Sequence, residues 1–125
     1  MSRFLVVVWA LVLALQIVHG NNAPKEQFEL HEGNCSRALI GDMVFLDHVQ
    51  LSRLPLVGRN TTTSWYGDQK IYCILALGGK QTSKDSTVLI KEGGINHTFV
   101  TLEFHSQKNH GLEYNVQVFG KLPKK

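Results

Sequence analysis

The strongest constraint on the fold is a strict alternation of apolar and polar residues near the carboxyl terminus. The apolar positions form two runs: Val100, Leu102 and Phe104, then Leu112, Tyr114, Val116 and Val118. Alternation with a period of two places each run on one face of a β-strand. A short polar segment that contains Gly111 separates the runs. The pattern therefore predicts an antiparallel β-hairpin with one buried face.

Shorter apolar runs between turn residues fill the chain upstream and predict strands at residues 43–51, 70–77 and 86–91. Residues 54–57 are a candidate for a further, short edge piece. Residues 70–77 are apolar on both faces, which is typical of a central strand. A short buried helix is the alternative, and the flanking glycines favour the strand. Residues 21–33 are interpreted as a loose lead-in and residues 58–68 as an exposed loop. Together, five to six short strands predict an all-β fold, a small antiparallel sandwich or barrel.

The first twenty residues have the organisation of a secretory signal peptide. Arg3 precedes an apolar run at residues 4–18, and small residues stand three and one positions before the expected cleavage after Gly20. The alternative is an uncleaved membrane anchor, but the run of about 15 residues is shorter than the roughly 20 that a spanning helix needs. We therefore expect a secreted product in which residues 21–125 form a single domain.

The two cysteines, Cys35 and Cys73, are expected to form a disulfide. An even, minimal count in an oxidising compartment favours a bridge. Neither cysteine belongs to a CxxC motif or has an adjacent His or Lys, which disfavours a reactive or metal-binding thiol. The bridge would join the start of the domain to the strand at residues 70–77 and would restrict the unfolded chain by about 3–4 kcal/mol.

Three N-glycosylation sequons begin at Asn34, Asn60 and Asn96. Secretion would make them substrates for glycosylation. We expect glycans on Asn60 and Asn96, whereas a bridged Cys35 would crowd the acceptor at Asn34.

The sequence contains no motif that indicates catalysis, and we expect a non-enzymatic protein without a cofactor. No GxSxG nucleophile motif occurs, and the paired glycines do not belong to a phosphate-binding pattern. His97, His105 and His110 lie near the predicted hairpin, where histidines can bind Zn or Cu. None of them has a second ligand at a characteristic spacing, so surface and turn histidines are the favoured interpretation.

Charge and aromatic residues bear on the partner. The 13 Lys and Arg residues exceed the 10 Asp and Glu residues only slightly, and the excess is too dispersed to predict nucleic-acid binding. Trp65 and Tyr66, in the predicted exposed loop, either form a binding patch or fold back over one end of the sandwich. A protein partner of unknown identity is expected, and a monomer and a dimer paired through a strand edge fit the sequence equally.

The carboxyl-terminal third carries a longer pattern: paired glycines, Val-Thr, alternating apolar positions, Ser-Gln, a glycine, an aromatic residue and a Val-rich strand. The residues that carry it are Gly93, Gly94, Val100, Thr101, Leu102, Phe104, Ser106, Gln107, Lys108, Gly111, Tyr114, Val116, Val118, Phe119 and Gly120. This pattern resembles the signature of the insect multiprotein-bridging-factor-two family. The chain departs from it at residues 96–98 and 76–79.

The resemblance implies two kinds of function. The family name implies a transcription coactivator that bridges a DNA-bound factor and the general machinery, whereas the family also includes secreted pathogen-response proteins of moth midgut. We favour a secreted, non-enzymatic β-domain that acts by binding, with a role in insect defence or stress response. The alternatives are the coactivator and a secreted carrier of a small apolar ligand.

Overall fold

The computed structural model describes residues 26–80, 82 and 85–123. The predicted signal peptide and its cleavage site lie outside these residues. The described residues form two three-residue 3₁₀-helices, η1 and η2, and seven β-strands. In chain order these elements are β1 Leu30–Gly33, η1 Cys35–Arg37, η2 Ile40–Asp42, β2 Met43–Leu51, β3 Asn60–Tyr66, β4 Lys70–Gly78, β5 Thr87–Gly93, β6 Phe99–His105 and β7 Leu112–Lys121. Within the described ranges, no helix is long and apolar enough to span a bilayer.

The strands form two antiparallel sheets that pack face to face, which confirms the predicted all-β sandwich. One sheet has the order β1-β4-β7-β2 and the other the order β3-β6-β5. The strand count exceeds the expected five to six because two segments were misassigned. Residues 30–33, interpreted as lead-in, pair with β4, and residues 60–66, interpreted as loop, pair with β6.

The predicted hairpin between β6 and β7 is wrong, because the two strands belong to different sheets. Residues 106–111 cross from one sheet to the other. Ser106 fixes this crossing: its Oγ accepts a hydrogen bond from the Arg59 N–H and donates one to the His110 carbonyl, both at 2.8 Å. The hairpin that the structure forms joins β5 and β6. Gly93, the last residue of β5, has φ 70°, a conformation that glycine adopts without strain.

The buried faces of β6 and β7 are those that the alternation predicted. Their apolar residues are at most 2% exposed and form the core between the sheets: Val100, Leu102, Phe104, Leu112, Tyr114, Val116 and Val118. The rings of Phe104 and Tyr114 meet across the interface with centroids 5.0 Å apart. The Tyr114 hydroxyl donates to the Phe28 carbonyl at 2.7 Å, and burial raises the pKa of Tyr114 to about 12.

Strand β4 lies between β1 and β7, which confirms the predicted central strand and excludes the helix alternative. Ile74 and Ala76 belong to the core between the sheets. Because successive side chains alternate, Cys73 points to the opposite face of the same sheet. Cys73 is nevertheless fully buried, because residues 34–42 cover that face at the start of β4.

Candidate functional site

The disulfide between Cys35 and Cys73 is formed, with its Cα atoms 5.0 Å apart, and it joins η1 to β4 as predicted. Hydrogen bonds to Tyr72 extend the attachment. The Tyr72 hydroxyl donates to Asp42 Oδ2 at 2.7 Å, and the Asn34 N–H donates to the Tyr72 carbonyl at 2.8 Å. Desolvation, together with Asp42, raises the pKa of Tyr72 above its usual 10.0.

A groove of about 430 Å³ lies between this disulfide-linked segment and the end of β7. We call it the cationic groove because Arg37, Lys70 and Lys121 line it together with Tyr72. The Lys121 ammonium lies 5.7 Å from the centroid of the Tyr72 ring and 3.9 Å from Asp42 Oδ2. No local pattern in the sequence indicates this groove, since its cations are far apart in the chain. The pairing of β4 with β7 brings Lys70 to Lys121, and the disulfide brings Arg37 to both.

A second candidate site, the aromatic cluster, consists of Tyr66, His97 and Phe99. The rings of Tyr66 and Phe99 are stacked, with centroids 5.8 Å apart and an interplanar angle of 7°. The His97 ring meets Phe99 edge-on at 5.5 Å. Tyr66 is 68% exposed, so the cluster presents aromatic surface to solvent.

Trp65 and Tyr66 lie at the end of β3, so the prediction of an exposed loop there was wrong. As neighbours in a strand they point to opposite faces. Trp65 is half-buried and packs against the core, whereas Tyr66 is exposed. The two residues therefore do not form one patch, because they lie on opposite faces of the sheet. Its exposed half is completed by Phe99, which stands opposite Tyr66 because β3 pairs with β6.

The three sequon asparagines are all exposed. Asn34 precedes η1 and is accessible although its neighbour Cys35 is bridged. Asn60 is the first residue of β3, and its Oδ1 lies 2.9 Å from His105 Nδ1. Asn96 lies in the turn between β5 and β6 with φ 71°. Asn34 and Asn96 both line the cationic groove. Glycosylation of these residues stays a prediction.

Three of the histidines each lie near one glutamate. The pairs are His31–Glu29 at 3.8 Å, His48–Glu113 at 3.5 Å and His105–Glu103 at 3.3 Å. Among the described residues, no group of three or more His, Cys, Asp or Glu side chains is placed to hold a metal ion. The pKa of His48 is raised, first by the hydrogen bond to Asn115 and then by the charge of Glu113.

The two packed sheets and the formed cystine define this chain as a small, disulfide-closed antiparallel β-sandwich. A family model described as transcription activator MBF2 matches residues 43–120, which is more than half of the chain, and the chain belongs to that family. The match extends from the start of β2 almost to the end of β7 and leaves β1 and Cys35 outside. No curated protein and no solved structure matches the chain.

Proposed function

We propose that this chain is a secreted, non-enzymatic β-domain that acts by binding. The observation that carries the proposal is the Cys35–Cys73 disulfide, which attaches residues 34–42 to the four-stranded sheet. Structural disulfides persist in oxidising compartments and are rare in the cytosol and nucleus. The apolar leader at residues 4–18 and the exposed sequon asparagines support the same compartment.

The aromatic cluster is the proposed contact surface for a protein partner. Aromatic side chains are enriched at protein interfaces, and Tyr66 offers a ring that is 68% exposed. Because Tyr66 already stacks on Phe99, less side-chain entropy is lost when a partner binds. The resemblance to secreted pathogen-response proteins extends the proposal to insect defence or stress response.

The test is to follow the full chain, with a carboxyl-terminal epitope tag, in secretion-competent insect cells. We expect a protein in the medium that lacks the leader, loses mass on glycosidase treatment and contains no free thiol. The control is Leu11→Arg, which interrupts the apolar leader and should keep the protein inside the cell. An untrimmed protein in the cytosol or nucleus with both thiols free would contradict the proposal.

A transcription coactivator is the second candidate, and the family description favours it. A reducing nucleus would open the disulfide. The coactivator therefore predicts that a Cys35→Ser/Cys73→Ser variant accumulates in nuclei and activates a reporter as well as the unmodified chain does. The secreted binding domain predicts no reporter activation by either protein and a lower yield of the variant in the medium.

The carrier of a small apolar ligand has less support from the packing. Phe104 and Tyr114 are both fully buried, and their rings meet between the sheets. An apolar cargo at that position would have to displace them. An uncharged probe such as phenylnaphthylamine that bound as tightly as an anionic one would favour this alternative.

A further inference from the structure

Two lysines face each other across the central pair of strands in the four-stranded sheet. Lys70 of β4 and Lys121 of β7 are directly opposed in the antiparallel register. Opposed residues point to the same face of a sheet with their Cβ atoms about 5 Å apart, and like charges in this arrangement repel each other. Arg37, on η1, lines the same groove. Three cationic side chains therefore converge from three parts of the chain.

Few carboxylates compensate this charge. Asp42 Oδ2 lies 3.9 Å from the Lys121 ammonium, and the same oxygen accepts the hydrogen bond from the Tyr72 hydroxyl. In the part of the chain that the structure describes, neither Arg37 nor Lys70 has a carboxylate partner within 4.0 Å. Among the described residues, three cations thus face the groove and Asp42 alone compensates one of them, so the groove keeps an excess of positive charge.

The remainder of the groove is partly apolar. The Tyr72 ring forms part of its wall, and Leu122, which is 65% exposed, lies at its rim. Its volume of about 430 Å³ is within the range of about 300–1,000 Å³ that small-molecule sites occupy. Cations beside exposed apolar surface match a ligand that carries a negative group on an apolar body.

We propose that the cationic groove binds a small organic anion. Its charged group lies between Lys70 and Lys121 and within reach of Arg37, and its apolar part contacts Tyr72 and Leu122. Charge-assisted hydrogen bonds from these side chains hold the anion, and the anion offsets the lysine repulsion. This proposal rests on the proposed function in one respect only, that the chain acts by binding, and it adds the chemical class of the ligand.

Asn34 and Asn96 line the groove, so glycans attached there would lie beside the ligand and add contacts of their own. The test protein is therefore the full chain with Ser36→Ala and Thr98→Ala. These changes remove the two sequons and leave both groove asparagines in place.

The test compares two fluorescent probes that share an aromatic body. Anilinonaphthalene sulfonate is an anion, and phenylnaphthylamine has no charge. We expect the sulfonate to bind at one saturable site and to weaken as salt is added, because salt screens charge interactions. The uncharged probe should bind at least about tenfold more weakly, since it forms none of the charge-assisted hydrogen bonds.

Charge-removing variants locate the site. Arg37→Gln combined with Lys70→Gln should weaken sulfonate binding about tenfold. In the matched variant Arg37→Gln/Lys70→Arg, position 70 keeps its positive charge, and most of the binding affinity should be restored. Lys91→Gln removes the same charge from an exposed position on β5, in the other sheet, and should leave the affinity unchanged. Equal melting temperatures establish that all variants are folded.

Three results would overturn the proposal: equal affinity for both probes, undiminished sulfonate binding by the Arg37→Gln/Lys70→Gln variant, or equal weakening by Lys91→Gln. Equal affinity for both probes would in addition favour the apolar carrier. The titration uses purified protein, whether it is recovered from the medium or from the cells. A failure of secretion therefore contradicts the proposed function alone, and a failure of the titration contradicts the ligand alone.

Discussion

The two sheets have similar inner faces and different outer faces. Inside, both contribute alternating apolar residues to one core. Outside, the four-stranded sheet carries a second layer at the start of β4, where the Cys35–Cys73 disulfide and Tyr72 hold residues 34–42. The outer face of the three-stranded sheet is bare along β3, where Asn60, Thr62, Ser64 and Tyr66 are all exposed. The Ser64 and Thr101 hydroxyls hydrogen-bond across this face at 2.9 Å.

This difference explains why the two sheets differ in sequence. A strand with cover on both faces needs apolar residues on both, and β4 has them. A strand with one bare face needs few, and β3, with the sequence NTTTSWY, alternates between half-buried and exposed positions. The layered sheet holds the cationic groove, and the bare sheet holds the aromatic cluster.

Phe104→Ala tests the shared inner face. Phe104 is 0% exposed, and its ring contacts that of Tyr114 between the two sheets. We expect a loss of about 3–5 kcal/mol in the free energy of unfolding, measured with urea. Glu92→Ala, at an exposed position of β5, is the control and should change stability by less than about 0.5 kcal/mol. An unchanged melting temperature for Phe104→Ala would mean that the inner face is wrongly assigned.

Cys35→Ser/Cys73→Ser tests the outer layer. Loss of the bridge should cost about 2–4 kcal/mol. Hydrogen exchange is the second measurement, because the loss of amide protection should be local. Amides of residues 34–42 should exchange faster relative to global unfolding, whereas β3 and β6 should keep their relative protection. Uniform loss of protection in both sheets would show that the outer layer is not a separate unit.

Tyr114→Phe tests the polar end of the core. The change removes the hydrogen bond to the Phe28 carbonyl and should cost about 1 kcal/mol at neutral pH. Since the pKa is raised from 10.0 to about 12, the folded state retains this proton while the unfolded state loses it. The free energy of unfolding should therefore decrease between about pH 10 and about pH 12. In the variant this decrease should be smaller, because phenylalanine does not titrate. Identical alkaline unfolding curves for both proteins would contradict this assignment.

His48→Gln tests an exposed pair on edge strand β2. The raised pKa of His48 means that the charged ring is favoured in the folded state, through Asn115 first and then Glu113. The resulting stabilisation is complete below about pH 6.5 and is lost as the pH rises through the folded pKa. We expect a small difference in urea midpoint between the proteins at acidic pH that disappears at alkaline pH. A difference that grows with pH would contradict the sign.

Local patterns in the sequence predict which face of a strand is buried better than they predict which strands pair with each other. The alternation in β6 and β7 identified the residues that face the core, because it reports which side of a strand is apolar. It did not identify Phe119, which is buried beside Tyr72 on the other face of the sheet. It did not show that the two strands lie in opposite sheets, because facing sheets also turn their apolar sides toward each other. The six-residue connection at residues 106–111 is long enough for either arrangement.

The candidate sites were harder to predict for the same reason. The cystine could be predicted, since only two cysteines exist. The stacking of Tyr66 on Phe99 depends on the register of β3 with β6, and the opposition of Lys70 and Lys121 depends on that of β4 with β7. Register is set by contacts between distant parts of the chain, so neither site has a local signature.

Because β7 lies between β4 and β2, the four-stranded sheet is incomplete until the last strand has been synthesised. Contacts between such distant segments fold slowly. The three-stranded sheet lies within residues 60–105 and can pair before β7 is made, whereas the four-stranded sheet spans residues 30–121 and is completed last.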